Sequence, residues 1–191
     1  MSERNKPISD PAQVARELAA ALEAANCEYA LGGAIALGFW AEPRGTLDVD
    51  VTLFLPPGQP TACVRVLQKI GCDLRADEVM QSFAQYGYCE VNFGGFRIDV
   101  FLPTILFYEQ ARQRRKRVLL GDQPVMIWDA ETLCVFKMMF FRRKDLADVE
   151  QILRMAGEQL DRDWVLKHLT DLYGQRDPRI SQWQELTREV G

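Results

Sequence analysis

Residues 45–56 read GTLDVDVTLFLP, and the fold turns on how Asp48 and Asp50 are understood within that otherwise apolar run. In a strand, residues i and i+2 share a face, so the two aspartates project together while Val49 and Val51 point the other way. Side-by-side carboxylates repel unless a cation joins them. With 27 acidic residues among 191, acidic-x-acidic triplets also arise by chance, and Asp161-x-Asp163 is one that reads as an ordinary helix start. Three readings stand open: solvated residues at a strand start, an aspartyl nucleophile, or carboxylates that hold magnesium around a nucleoside triphosphate.

Working outward, the segment before this run is helix, strand, helix. Ser9 and Asp10 precede Pro11 as cap and first turn, and AQVARELAAALEAAN places Val14, Leu18 and Leu22 on one face. CEYAL reads as a short strand running into Gly32-Gly33, and AIALGFWA as a helix ending before Pro43. After the run, PPGQP is a turn and TACVRVLQKIG an amphipathic helix closed by Gly71. YGYCEVNF and FRIDVFLP flank Gly94-Gly95, a strong hairpin signal. PTILFYEQARQ reads as a short helix, and VLLGDQPVMIW as two short strands about a Gly-Asp turn. From Asp129 onward the period is helical throughout. The expectation is an α/β (α+β) chain: a core over residues 1–128, comprising a mixed sheet, flanking helices and the N-terminal helix, and a helical subdomain over 129–191 packed on it.

Composition narrows the classes. Apolar residues at 48% and charged residues at 26% are globular values that exclude extensive disorder. A net charge of −4 excludes a surface built wholly for nucleic acid, while RQRRKR (residues 112–117) leaves room for a local basic groove or a solvated helix end. The five cysteines (27, 63, 72, 89, 134) are scattered and never spaced C-x-x-C, which suggests neither a disulfide framework nor a zinc site, and Cys27, Cys89 and Cys134, among apolar neighbours, read as small hydrophobes in a reducing setting. The N-terminal MSERNKPISD has no apolar core and no window approaches a membrane span, so the expected location is the cytoplasm. His168, the single histidine, sits late in an amphipathic helix and reads as structural.

Asp48-Val49-Asp50-Val51-Thr52 matches the D-x-D-x-T spelling of the haloacid dehalogenase superfamily, but the placement disagrees. Such a nucleophile follows an apolar strand, where open α/β sheets bind ligands. Here the apolar run VTLFLP follows the aspartates. The magnesium reading gains from its neighbours in sequence. Gly32-Gly33 lies at a strand-to-helix junction, where small residues let backbone approach a phosphate. FRIDVF puts Asp99 on a strand expected beside the first, with Ile98 and Val100 toward the core and Arg97, Asp99 and Phe101 on the other face. Three carboxylates on two strands suit hard ions that prefer oxygen ligands.

The order Gly32-Gly33, a helix, Arg44-x-Thr46-x-Asp48-x-Asp50, and a later strand bearing Asp99 resembles the nucleotidyltransferase superfamily that includes DNA polymerase β. In particular it looks like AbiEii-type and minimal nucleotidyltransferases of toxin–antitoxin and phage-defence systems, and FKMMFFRRKDLADVEQIL resembles their later helical pattern. The resemblance covers about residues 29–153; Gly32-Gly33 stands where many members have Gly-Ser, and the interval to Asp48 is slightly long. It implies magnesium-dependent transfer of a nucleoside monophosphate from an NTP to a hydroxyl of RNA, tRNA or protein. It also implies that Asp48 and Asp50 hold two Mg²⁺ ions, that Asp99 helps bind one and takes the hydroxyl proton, that Gly32, Gly33 and Lys137 bind the triphosphate, and that Arg44 pairs with the phosphates or with Asp99. Lys137 reads equally as a lysine snorkelling from an apolar helix. Asp145 and Asp148 read as anchors for Lys137, Arg142 or Arg143. A cognate toxin or antitoxin partner follows from the same resemblance. Alternatives are a non-catalytic nucleotide-binding protein of the same fold, an aminoglycoside-type small-molecule transferase, and the phosphatase.

Overall fold

Asp10 starts the first helix: its carboxylate accepts a hydrogen bond from the Ala12 amide at 3.0 Å, and Pro11 fills a first-turn position where its missing N–H is not needed. The computed structural model describes residues 10–55 and 60–190, so Ser9 and most of the turn expected over PPGQP lie outside the described residues.

Six strands form one mixed sheet: β1 (Glu28–Leu31), β2 (Asp48–Phe54), β3 (Tyr88–Phe93), β4 (Phe96–Phe101), β5 (Lys116–Leu120) and β6 (Gln123–Ile127), in the order β3-β4-β2-β1-β6-β5. The β3-β4, β2-β1 and β6-β5 pairs are antiparallel, whereas β4-β2 and β1-β6 are parallel. Helix α1 (Pro11–Ala24) lies on β1, β2 and β6 and buries Val14, Leu18 and Leu22 completely. Burying Val49, Val51 and Leu53 of β2 contributes roughly 1.5–3 kcal/mol each. Gly94 and Gly95 both take positive φ (60° and 87°), the two left-handed residues that a tight hairpin requires, and this turn fixes the β3-β4 register.

Three further helices belong with the sheet: α3 (Pro60–Lys69), α4 (Ala76–Tyr86) and α5 (Phe107–Arg114). Helix α4 is not signalled by the sequence pattern, in which a strand is expected from Tyr86; the helix runs through that residue and ends on Gly87 at φ 73°. The short helix α2 (Gly33–Leu37) stops well before Pro43, giving way to a turn over residues 38–40. The chain up to Ile35 and Gly45–Ile127 make one compact unit; Ala36–Arg44 and the chain from Trp128 make a second.

The second unit is helical: α6 (Ala130–Phe140), α7 (Arg143–Ala156), α8 (Arg162–Tyr173) and α9 (Pro178–Val190). Asp129 and Asp161 cap α6 and α8 through hydrogen bonds accepted from Thr132 and Trp164 amides at 3.0 and 2.9 Å, so the Asp161-x-Asp163 triplet is the helix start its context indicated. His168 lies against Trp164, ring centres 4.1 Å apart. No helix among the described residues is long and apolar enough to cross a membrane.

Candidate active site

The parallel register of β2 with β4 pairs Asp48 with Arg97 and Asp50 with Asp99, and alternation puts all four on the face opposite Val49, Val51, Ile98 and Val100. The first unit thus brings Asp48, Asp50 and Asp99 together. The row extends one strand further, because Glu90 of β3 pairs with Asp99. On the opposite side, the Gly32 amide donates to the Asp50 carbonyl at 2.9 Å and carries the chain straight into the Gly33 turn.

Gly33 is where sequence and site meet most tightly. It adopts φ 51°, and a Cβ built there would stand 1.7 Å from Asp50 Oδ2. Only glycine lets the backbone lie against that carboxylate. Gly33→Ala is expected to cost about 1–3 kcal/mol, combining the left-handed strain with displacement of Asp50. Gly45→Ala, whose Cβ would meet nothing within 4 Å, is the control; equal thermal melting shifts for the two variants would refute the contact.

Asp48 is held by both neighbours. The Thr46 hydroxyl donates to its Oδ1 at 2.5 Å, and Arg97 Nη2 donates to its Oδ2 at 2.5 Å. The same Nη2 reaches Asp99 Oδ2 at 3.4 Å, while Arg97 Nε stands 3.1 Å from Asp99 Oδ1. The latter is charge proximity without a directed bond: Asp99 Oδ1 is buried and accepts no hydrogen bond. Burial, then the Asp50 charge, push the Asp99 carboxyl up to about 6, against the opposing pull of Arg97. Among the described residues no three His, Cys, Asp or Glu side chains stand close enough to hold one ion; the Arg97 guanidinium bridges two of the three aspartates instead.

The remaining expected residues lie in the second unit. Arg44 donates to Asp148 through two nitrogens, Nε to Oδ1 at 2.9 Å and Nη2 to Oδ2 at 3.0 Å, and Lys137 Nζ donates to Asp148 Oδ2 at 2.6 Å. Lys137 also stands 3.7 Å from Asp145, which accepts from Arg142 Nε at 2.6 Å. Asp145 and Asp148 are therefore anchors for Lys137 and Arg142, and the partner of Arg44 within this unit is Asp148. Burial alone would raise the Asp148 carboxyl, but the hydrogen bonds from Arg44 and Lys137 outweigh it and hold the carboxyl below its ordinary value.

The basic run over residues 112–117 is partly committed to the fold. Arg112 Nε donates to Glu28 Oε2 at 2.7 Å, Arg115 Nη1 to the Tyr29 carbonyl at 2.9 Å, and both guanidinia lie over the Phe54 ring. Lys116 and Arg117 of β5 are exposed.

Two features missed by sequence reasoning were within its reach. Strand alternation placed Arg97 on the site face without giving it a partner. Counting outward from the Gly94-Gly95 turn pairs residue 90 with residue 99, which locates Glu90.

The six-stranded mixed sheet with flanking helices matches the nucleotidyltransferase fold of solved structures. ANT(2″)-Ia in complex with adenylyl-2″-tobramycin superposes with a TM-score of 0.59 at 12% identity, covering 85% of this chain and 98% of that one. The solution structure of the antibiotic-resistance factor ANT(2″)-Ia gives 0.56 at 12% identity, covering 93% and 95%. An antigenic nucleotidyltransferase-like protein from Paracoccidioides brasiliensis gives 0.48 at 16% identity, covering 90% and 92%. No protein-family model matches the sequence, and no curated protein matches it.

Proposed function

We propose that this chain is a magnesium-dependent nucleotidyltransferase that moves a nucleoside monophosphate from an NTP to a hydroxyl and releases pyrophosphate. The observation that carries the reading is the row of Asp50 and Asp99 on neighbouring parallel strands, with Asp48 on the same face and Gly33 pressed against Asp50. The residues suit the ion in the chemistry of their donors, and holding it would require the side chains to draw together from the spacing described above. The donors are hard carboxylate oxygens, and one buried oxygen of Asp99 lacks a hydrogen bond.

Asp48, Asp50 and Asp99 would hold two magnesium ions, which supply charge neutralisation at the triphosphate and the attacking oxygen. Asp99 accepts the proton of the acceptor hydroxyl. Gly32 and Gly33 give the phosphates an approach to backbone free of side chains. Arg44 and Lys137 are the proposed triphosphate cations of the second unit, both oriented by Asp148. Catalysis on this reading is mainly positioning and charge neutralisation.

For the acceptor, the exposed Lys116 and Arg117 support RNA, including tRNA ends, while Arg112 and Arg115 have structural partners that narrow the basic surface. The likeness to ANT(2″)-Ia, solved with an adenylylated tobramycin, supports a small-molecule hydroxyl of the aminoglycoside class. The AbiEii resemblance supports a protein or tRNA acceptor in a cytoplasmic toxin–antitoxin pair with a cognate partner. Incubation with each α-labelled NTP, magnesium, and in turn total RNA, cell lysate and an aminoglycoside panel discriminates these: label should move to one acceptor class with release of pyrophosphate. NTP binding without pyrophosphate release would instead mark a non-catalytic nucleotide-binding protein.

A further inference from the structure

We infer that Arg97 is a resident counter-ion: it occupies the carboxylates of the site before any divalent ion arrives, and metal must displace it. This rests on the magnesium reading above, and it adds a role for a residue which that reading does not use.

The geometry is specific. One guanidinium spans Asp48 and Asp99, with Nη2 at 2.5 Å from Asp48 Oδ2 and 3.4 Å from Asp99 Oδ2, and Nε at 3.1 Å from Asp99 Oδ1. Both carboxylates belong to the proposed metal set, so an ion that takes their oxygens takes them from Arg97. An arginine cannot relieve the competition by losing its proton, since its pKa exceeds about 12 in proteins. Its side chain is half exposed, at 49%, so it has solvent to move into when the carboxylates are taken. Glu90, next in the row beyond Asp99, adds a charge that favours the cation. Between Asp48 and Asp99 the guanidinium offsets part of the repulsion that neighbouring carboxylates exert on one another.

The consequence is a raised metal requirement. Removing the guanidinium should tighten divalent binding even as it weakens the metal-free fold, a combination that loss of an ordinary structural ion pair would not produce. The test uses Mn²⁺ as the probe, its binding followed by electron paramagnetic resonance in wild type, Arg97→Gln, Arg97→Lys and Asp99→Asn, alongside melting temperatures with and without Mg²⁺. Arg97→Gln is expected to bind Mn²⁺ about five- to tenfold more tightly than wild type, the size of one or two partly exposed charge-assisted contacts. Arg97→Lys, which keeps the charge but not the fork, should fall between. Arg97→Gln should also melt lower than wild type without metal and gain more from Mg²⁺. Equal or weaker Mn²⁺ binding in Arg97→Gln, at a site that Asp99→Asn abolishes, overturns the inference and leaves the magnesium reading standing. Binding in none of the proteins overturns that reading and the inference with it.

Discussion

Asp99→Asn is expected to reduce nucleotidyl transfer about 10³-fold or more while making the metal-free protein more stable at neutral pH. The loss follows from two proposed roles in one side chain, a metal ligand and the acceptor of the hydroxyl proton. The stability gain follows from linkage. Burial and Asp50 raise the folded-state carboxyl from its ordinary 3.8 to about 6. Between those values the unfolded chain ionises first, so stability falls as pH rises through the window, and above it the charged cluster costs on the order of 2 kcal/mol. Asparagine removes that cost. Melting profiles of wild type and variant should therefore separate above pH 6 and converge toward pH 4, and Mg²⁺ should raise the wild type more. Asp48→Asn should likewise abolish transfer with the fold retained. Full turnover in either purified variant would refute the assignment of the site; a variant that is never more stable than wild type would refute the account of the charge cluster.

Asp148→Ala is expected to be the most damaging single change to the second unit, lowering its stability by about 3–5 kcal/mol, because it removes one partner of a buried ion pair. Lys137 is 5% exposed and Asp148 2% exposed, so the ammonium left behind has little water and only Asp145 at 3.7 Å. Arg44 loses both of its bonds to Asp148 in the same step. Paired removal, Asp148→Leu with Lys137→Met, should be less destabilising than the sum of the single changes, and a denaturant series across the cycle gives the coupling. The pH sign opposes that of Asp99. A depressed carboxyl contributes stability present above its unfolded value and lost as pH falls through the folded one, so acid should weaken the second unit. Additive single effects would show that the pair is not coupled.

Much of this arrangement could be read in the chain because it rests on short-range rules. Alternation in DVDVTLF and FRIDVF fixed which side chains share a face, and Gly94-Gly95 fixed a hairpin whose register follows by counting. That the strand of Asp99 lies beside β2 was expected, but the parallel direction and register of the pair were not, since 41 residues lie between Phe54 and Phe96 and no local signal reports that contact. Helix α4 escaped notice for a local reason. Its apolar residues Val79, Met80 and Phe83 are few, and Tyr86 and Tyr88 read together as the opening of a strand until Gly87 is recognised as a helix end. The partners of charges were the least legible. Arg44 meets Asp148 across more than a hundred residues, and the bridge from Arg97 to Asp48 exists only once two strands have been aligned.

All five cysteines are buried, and desolvation pushes every one of their thiols upward. The native chain should accordingly be almost silent toward alkylating reagents, and the adducts it slowly acquires will record how often it opens. Cys27, Cys63, Cys72 and Cys89 lie in the sheet unit and Cys134 in the helical one. Mass spectrometry of a timed labelling reaction would thus report on opening in the sheet unit and in the helical unit separately, without any engineered probe.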